Sequence, residues 1–508
     1  MKLLRTVALA ALAAAAGCAT SDRSFDGHLE SQSAPRRACA QWYRALDEAT
    51  EAAGVGDAQY TRVAGFPYLR VDRLLASLRE RARASEPALQ AFAERLRDLD
   101  LESRRYEIEN LPRERLESLP GVKGSSRDAA FRQTQDCSRL LREIDLAKPA
   151  SRAALLKAVY VPDDYSDASR ALGLYPISRL VFIAGVRRAE EELSAPFHGE
   201  PTVPPGASLV RYAPPLSPPI ERAAVAAILG RAQLDALGYP ALSERELARI
   251  AAAYAPSFEV AVSADYDRFG ELRWRRDATV PSVDASQAVV YVHPAYSRYR
   301  DGNGGDRILL QMVYTTWFPE RPPSGGADLL SGALDGVVWR VTLAPDGEPV
   351  LYDSIHPCGC YHQFFPTPRA RPRPAPDPAE EWAFVPQTLP RVAEGERPVV
   401  RIASRTHYIE NVGLVRGADS VARYALRDYG ELRSLAGPGG RRSAFGPDGL
   451  IAGTERAERF LFWPMGIESA GAMRQWGRQA TAFVGRRHFD DADLIERRFE
   501  LDLGEPLQ

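Results

Sequence analysis

The chain has 508 residues, with 65 Lys and Arg against 67 Asp and Glu and a formal net charge of −2. That balance offers no basic excess to attract nucleic acid, and past the first twenty residues no stretch is apolar for long enough to span a bilayer as a helix. Hydrophobic residues make up 45%, which at this length fits two domains or one large domain with extensions.

The N-terminus reads as a targeting signal. Lys2 and Arg5 form a basic start, Val7 to Ala16 is a short apolar run, and the run ends Ala15-Ala16-Gly17-Cys18. Small residues immediately before a cysteine resemble the lipobox of bacterial lipoproteins. The resemblance covers this segment alone. It implies cleavage after Gly17, lipidation of Cys18 and a membrane partner through the lipid. Because Ala19 follows rather than Asp, it implies an outer-membrane lipoprotein facing the periplasm of a Gram-negative bacterium. No protein partner is legible.

An oxidising compartment constrains the other cysteines. Cys39 and Cys137 both lie in the helical N-terminal half and are expected to form a structural disulfide. Cys358 and Cys360 are then left to bridge each other, bind metal or be buried.

The expected layout is a signal peptide over 1–17, a tether over 18–38, a helical domain over 39–195, a proline-rich connector over 196–220 and an α+β domain over 221–508. Leu74, Leu75 and Leu78, then Leu89, Phe92, Leu96 and Leu99 after a capping Ser85, recur at helical spacing. The many Arg–Glu alternations of this region read as solvated helix faces with local ion pairs. A loop-rich break over 163–175 precedes a helix over 177–193. Pro204-Pro205, Pro214-Pro215 and Pro218-Pro219 predict an extended strap. Helices resume over 221–237 and from Ser243, which opens a capping box with Glu246.

After Pro256 the period becomes strand-like. Strands are expected over 257–262, 288–293, 308–318, 336–343 and 348–352, with Pro345-Asp346-Gly347 turning a hairpin. Residues 366–378 read as a surface loop, 399–412 and 459–463 as further strands, and the stretch from Ser469 as a helix. The fold class is α+β: a helical N-terminal region, then an antiparallel β-rich C-terminal domain with flanking helices.

The chemistry concentrates in His356-Pro357-Cys358-Gly359-Cys360-Tyr361-His362. On an extended strand these His and Cys side chains share a face, but His356 and His362 would stand roughly 20 Å apart. Metal–ligand bonds are only about 2.0–2.3 Å, so a straight strand cannot bring His356, Cys358, Cys360 and His362 to one ion, and the four-ligand site needs a curled segment. Pro357 and Gly359 favour a tight loop instead, which could gather two or three ligands.

Mixed nitrogen and sulfur ligands favour Zn or Cu. His293 and His407, on or at the ends of predicted strands, could complete the set. Asp353 is the candidate general base for a metal-activated water, making a metal-dependent hydrolase the leading expectation. The alternatives are a thiol–disulfide oxidoreductase using Cys358 and Cys360, and a non-catalytic envelope lipoprotein with the cysteines bridged. His488-Phe489-Asp490 resembles half of a non-haem iron triad, without a locatable third ligand. No Gly-x-Ser-x-Gly elbow or His-Glu-x-x-His helix is present.

Overall fold

The computed structural model describes residues 25–504, apart from 123, 125, 200–202, 217–219, 277, 301–304, 327 and 418–421. The signal segment and Cys18 therefore lie outside the described residues. The chain is a mixed α+β protein that divides into two compact units, Met1–Pro162 and Asp163–Gln508. The division falls upstream of the proline-rich stretch, so the helix Tyr175–Ser194 belongs to the second unit.

In the first unit the helices Ala34–Ala53, Glu86–Asn110 and Arg127–Leu146 pack together. Ser85 caps the second of these by accepting from Ala88 N–H. Cys39 and Cys137 are bridged, as expected, tying the first helix to the third.

Two features depart from the expectation for this region. An antiparallel hairpin, Thr61–Val63 with Phe66–Val71, interrupts the helices; Tyr68, Leu69 and Val71 are buried in it. The charged alternations also do not all face solvent. Arg70 and Arg104 are fully buried, with Arg70 Nη2 2.6 Å from Glu107 Oε1 and Nε 3.2 Å from Asp100 Oδ1. Arg104 Nη1 stands 3.0 Å from Glu107 Oε2. Burying cations beside carboxylates is tolerable only where each charge is matched, as here.

The second unit is built on a six-stranded sheet. Its order is Gln363–Pro366, Pro349–Ile355, Gly332–Leu343, Asp306–Arg321, Val289–Arg300 and Ala425–Asp428. All pairs are antiparallel except the last, where Ala425–Asp428 runs parallel to Val289–Arg300. The predicted turn is present: Gly347 has φ +76° and donates to Ala344 O at 2.9 Å.

A five-stranded sheet ordered Ile409–Arg416, Glu396–Ile402, Ser257–Val262, Ser208–Ala213 and Ala422–Arg423 accompanies it. Ser208–Ala213 lies within the stretch expected to be a strap; between its prolines it pairs with Ser257–Val262. One apolar core joins Phe258, Val260 and Val400 of this sheet to Tyr314, Val337 and Trp339 of the larger one. Residues Arg459–Phe462 form a short helix rather than a strand. From Ser469 the chain is mostly irregular, with one helix, Leu494–Arg498, in place of the longer one expected.

Candidate functional site

The His356-to-His362 segment is the loop closing the hairpin between Pro349–Ile355 and Gln363–Pro366. Ser354 pairs with Gln363, His356 N–H donates to Cys360 O at 3.0 Å, and Gly359 N–H donates to His356 O at 2.8 Å. Gly359 takes φ +93°, and a Cβ there would lie 2.3 Å from Ala480 O. The position needs glycine both for its conformation and for that close approach. Because the loop curls, the alternate side chains do not share a face.

His356 turns toward Asp335, with Nδ1 3.0 Å from Oδ1. The other oxygen of Asp335 lies 2.9 Å from His407 Nδ1, and His407 Nε2 stands 3.5 Å from Asp267 Oδ1. All four residues are buried. A carboxylate only accepts hydrogen bonds, so both Nδ1 atoms carry protons, and a neutral His356 keeps its lone pair on Nε2. His407 sits between the strands Glu396–Ile402 and Ile409–Arg416, where the expected continuous strand breaks. Asp267 closes a 3₁₀ turn after Ser257–Val262. The chain of carboxylates and imidazoles thus joins the two sheets.

Burial works against the Asp335 carboxylate, but His356, Arg456 and the imidazole hydrogen bonds hold it well below the usual range. Burial likewise opposes a charge on His407, yet Asp267 and Asp335 on either side raise its pKa. His356 is depressed, chiefly by burial.

Around this chain stand Tyr361 and Tyr408, their hydroxyls 2.9 Å apart, and Arg321, whose Nη2 donates to Tyr408 at 2.9 Å. Glu458 is buried and pushed up to about 7 by desolvation, against Arg456 and Arg321. Among the described residues six non-glycine residues take positive φ, and four are at this site: Leu334, Tyr361, Arg405 and His407. Strained backbone gathered at one polar cluster is a mark of functional sites.

Cys358 and Cys360 are unbridged. Cys358 is buried beside Leu272, Trp317 and Met473, while Cys360 is partly exposed. Cys360 N–H approaches Cys358 Sγ at 3.4 Å. A hydrogen bond that the Cys360 thiol donates to Cys358 Sγ, then burial, push Cys360 well up, so the pair does not ionise together. Arg456 and Arg474 stand in the field of these sulfurs.

The remaining candidates lie elsewhere. Asp353, the candidate base, is fully buried opposite Arg340 in the sheet, with Oδ1 2.9 Å from Nε and Oδ2 2.5 Å from Nη2. Burial raises its pKa, but Arg340 and His362 bring it below the ordinary value. His362 Nε2 lies 3.0 Å from the same carboxylate, and burial drives that imidazole down to about 3. His293 has both ring nitrogens sealed without hydrogen bonds, between Tyr429 and Trp476, and burial takes it to about 3. His488 receives Asp164 N–H at 3.3 Å.

The structure therefore brings His356 and His407 together on one aspartate, and Cys358 and Cys360 together on one turn. His362 and Asp353 form a separate cluster. Among the described residues, no group of three or more His, Cys, Asp or Glu is arranged to hold a metal ion. Asp335, Asp267, Tyr361, Tyr408, Arg456 and Glu458 were not candidates on sequence. The one visible signal among them is Asp335-Gly336, an acidic residue entering an otherwise apolar strand. Compared with known proteins, the chain matches no family model, no curated protein and no solved structure.

Proposed function

We propose that this is a lipid-anchored envelope protein, acylated on Cys18, whose second unit works as a reversible dithiol–disulfide couple through Cys358 and Cys360. The observation that carries the redox reading is the contrast between the cysteine pairs. Cys39 and Cys137 are bridged, whereas Cys358 and Cys360 stand side by side as free thiols on one tight turn. Zinc or copper and a hydrolytic role find less support, because the histidines are divided between two clusters, His356 and His407 on Asp335 and His362 on Asp353.

Cys360, the more accessible sulfur, attacks a disulfide of a partner protein as its thiolate. A bond forms between Cys360 Sγ and one partner sulfur, and the other partner sulfur leaves and takes up a proton. Cys358 then attacks Cys360 Sγ, closing the intramolecular disulfide and releasing the second partner thiol. The reverse sequence donates the disulfide. Arg456 favours the Cys360 thiolate, but Cys358 and burial outweigh it and keep the thiol protonated, so exchange quickens as pH rises.

The test is a thiol count by alkylation and mass spectrometry across glutathione redox buffers. The reading expects Cys358 and Cys360 to gain and lose alkylation together, with a midpoint in the range of oxidoreductase dithiols, roughly −120 to −270 mV. Two thiols that stay free and inert in every buffer would leave a structural pair. Metal bound stoichiometrically and lost in Cys358→Ser would return the site to metal chemistry.

A further inference from the structure

The helix Tyr175–Ser194 turns an apolar stripe outward. Ile177, Leu180, Val181 and Ala184 follow helical spacing and are all exposed, Val181 by 74%. Phe182 and Ile183 point the other way, packing with Met465 and Val484. Beside it the short helix Arg459–Phe462 and the 3₁₀ turn Trp463–Met465 expose Phe460, Leu461 and Trp463, Phe460 by 71%.

The two pieces abut. Phe182 and Phe462 have ring centroids 5.8 Å apart, and a Cβ on Gly173 would lie 2.5 Å from Pro464 Cβ. Seven exposed apolar side chains on these two abutting pieces are more than the scattered single residues of ordinary surface.

We infer that this face lies on a lipid bilayer, its leucines and aromatics entering the headgroup–acyl boundary. The inference rests on the lipid-anchored reading. The described chain begins seven residues after Cys18, and seven residues reach at most about 25 Å when fully extended. An acylated Cys18 would therefore keep the protein against its membrane. The lipid anchor and an apolar face on the bilayer then act together on the same membrane.

The residues also suit lying on a membrane rather than crossing it. Among the described residues no helix is long and apolar enough to span. Trp463 and Phe460 are side chains favoured at the headgroup level. Arg188, at the end of the stripe, is already paired with Glu192 at 3.2 Å, so apolar area rather than charge drives the contact.

The test uses the mature chain from Cys18 carrying Cys18→Ser, exported behind an ordinary cleavable signal so that no acyl group is present. It is floated with vesicles of phosphatidylethanolamine and phosphatidylglycerol. The expected result is co-flotation that survives raised salt and falls at least tenfold in Leu180→Glu/Val181→Glu and in Phe460→Ser/Trp463→Ser. These are exposed positions, and unchanged circular dichroism checks that the variants fold. A fluorescence blue shift on vesicle addition, lost in Trp463→Phe, would place that residue at the interface.

No flotation, or flotation indifferent to these variants, overturns the inference. A vesicle-free dimer dissociated by Val181→Glu assigns the face to a second copy and overturns it too. Metabolic labelling of Cys18 with palmitate tests the anchor separately, so either reading can fail alone.

Discussion

Asp335 accepts a hydrogen bond from His407 Nδ1 at 2.9 Å while Phe318 stacks on the same imidazole, ring centroids 4.0 Å apart. With Asp267 on its far side, the buried His407 has carboxylates at both ring nitrogens, and they raise its pKa. Asp335→Asn removes one of those charges and leaves His407 and Arg456 short of compensation. The expected cost is about 3–5 kcal/mol in a denaturant melt, the scale of breaking a buried ion pair. His407→Gln should cost a similar amount, and the double variant less than the sum of the two. An additive cycle would mean the pair is not coupled.

Acid should weaken the second unit through its buried histidines. Glu458 partly offsets this, because its carboxyl, raised to about 7, takes up its proton in the folded chain first. His362 and His293 fall to about 3 in the folded protein against about 6.5 unfolded. Between those values the unfolded chain binds more protons, so stability declines as pH drops below about 6.5. The slope reaches about 1.4 kcal/mol per pH unit for His362 alone. His407 works in the opposite sense. Its raised pKa adds stability that is fully present below about 6.5 and is lost as pH rises through its folded value. Asp335 and Asp353 add a term lost only as pH falls below about 3.9, through their depressed values. Urea melts at pH 7, 6, 5 and 4 should show the decline, flattened in His362→Gln. A curve unchanged down to pH 4 would contradict this account.

Legibility from sequence followed how local each constraint is. The strands of the large sheet announce themselves through near-continuous runs of β-branched and aromatic residues, and Asp346-Gly347 names its own turn. The capping box at Ser243 forms as read, with Ser243 and Glu246 bonded both ways. The His/Cys segment was visible as chemistry and as a loop, because Pro357 and Gly359 forbid a regular strand.

Its partners were not legible. Asp335 pairs with His356 and His407 across 21 and 72 residues, and nothing in either stretch names the other. The strand expected over 399–412 breaks because Arg405 and His407 take φ +68° and +54°. Positive φ is uncommon outside glycine, and even histidine's modest enrichment there does not mark a particular position. The region after Ser469 holds its place through contacts with distant segments, such as Arg474 N–H to Pro357 O at 3.2 Å.

Two glycines set the loop against its surroundings. A Cβ on Gly336 would lie 2.3 Å from Thr316 O and 2.9 Å from Pro357 Cγ. Gly336→Ala and Gly359→Ala should each cost about 1–3 kcal/mol through overpacking, and more at Gly359 because its φ is positive. Gly230→Ala, with open space around it in the helix Arg222–Arg231, should be neutral or stabilising by up to about 1 kcal/mol. Gly359→Ala also loosens the turn that carries the thiols, so alkylation of Cys358 should quicken. An unchanged alkylation rate in a measurably destabilised variant would show that the turn does not control access.

Removing the Cys39–Cys137 bridge should act on the first unit alone. The bridge closes a loop across 98 residues, and cross-links of that span stabilise by about 2–5 kcal/mol. Both cysteines are buried, so alanine is the conservative replacement. In Cys39→Ala/Cys137→Ala, hydrogen exchange should quicken across the helices Ala34–Ala53 and Arg127–Leu146 and stay unchanged in the strands Gly332–Leu343 and Pro349–Ile355. Equal acceleration in both places would mean the two units unfold as one. The same variant leaves Cys358 and Cys360 as the only cysteines after Cys18, so its redox titration reads that couple without exchange from the bridge. A midpoint identical to the parent's makes the pair an autonomous couple. A midpoint that moves would show the two cysteine pairs exchanging disulfides, and the bridge would then be part of the redox chemistry rather than a staple.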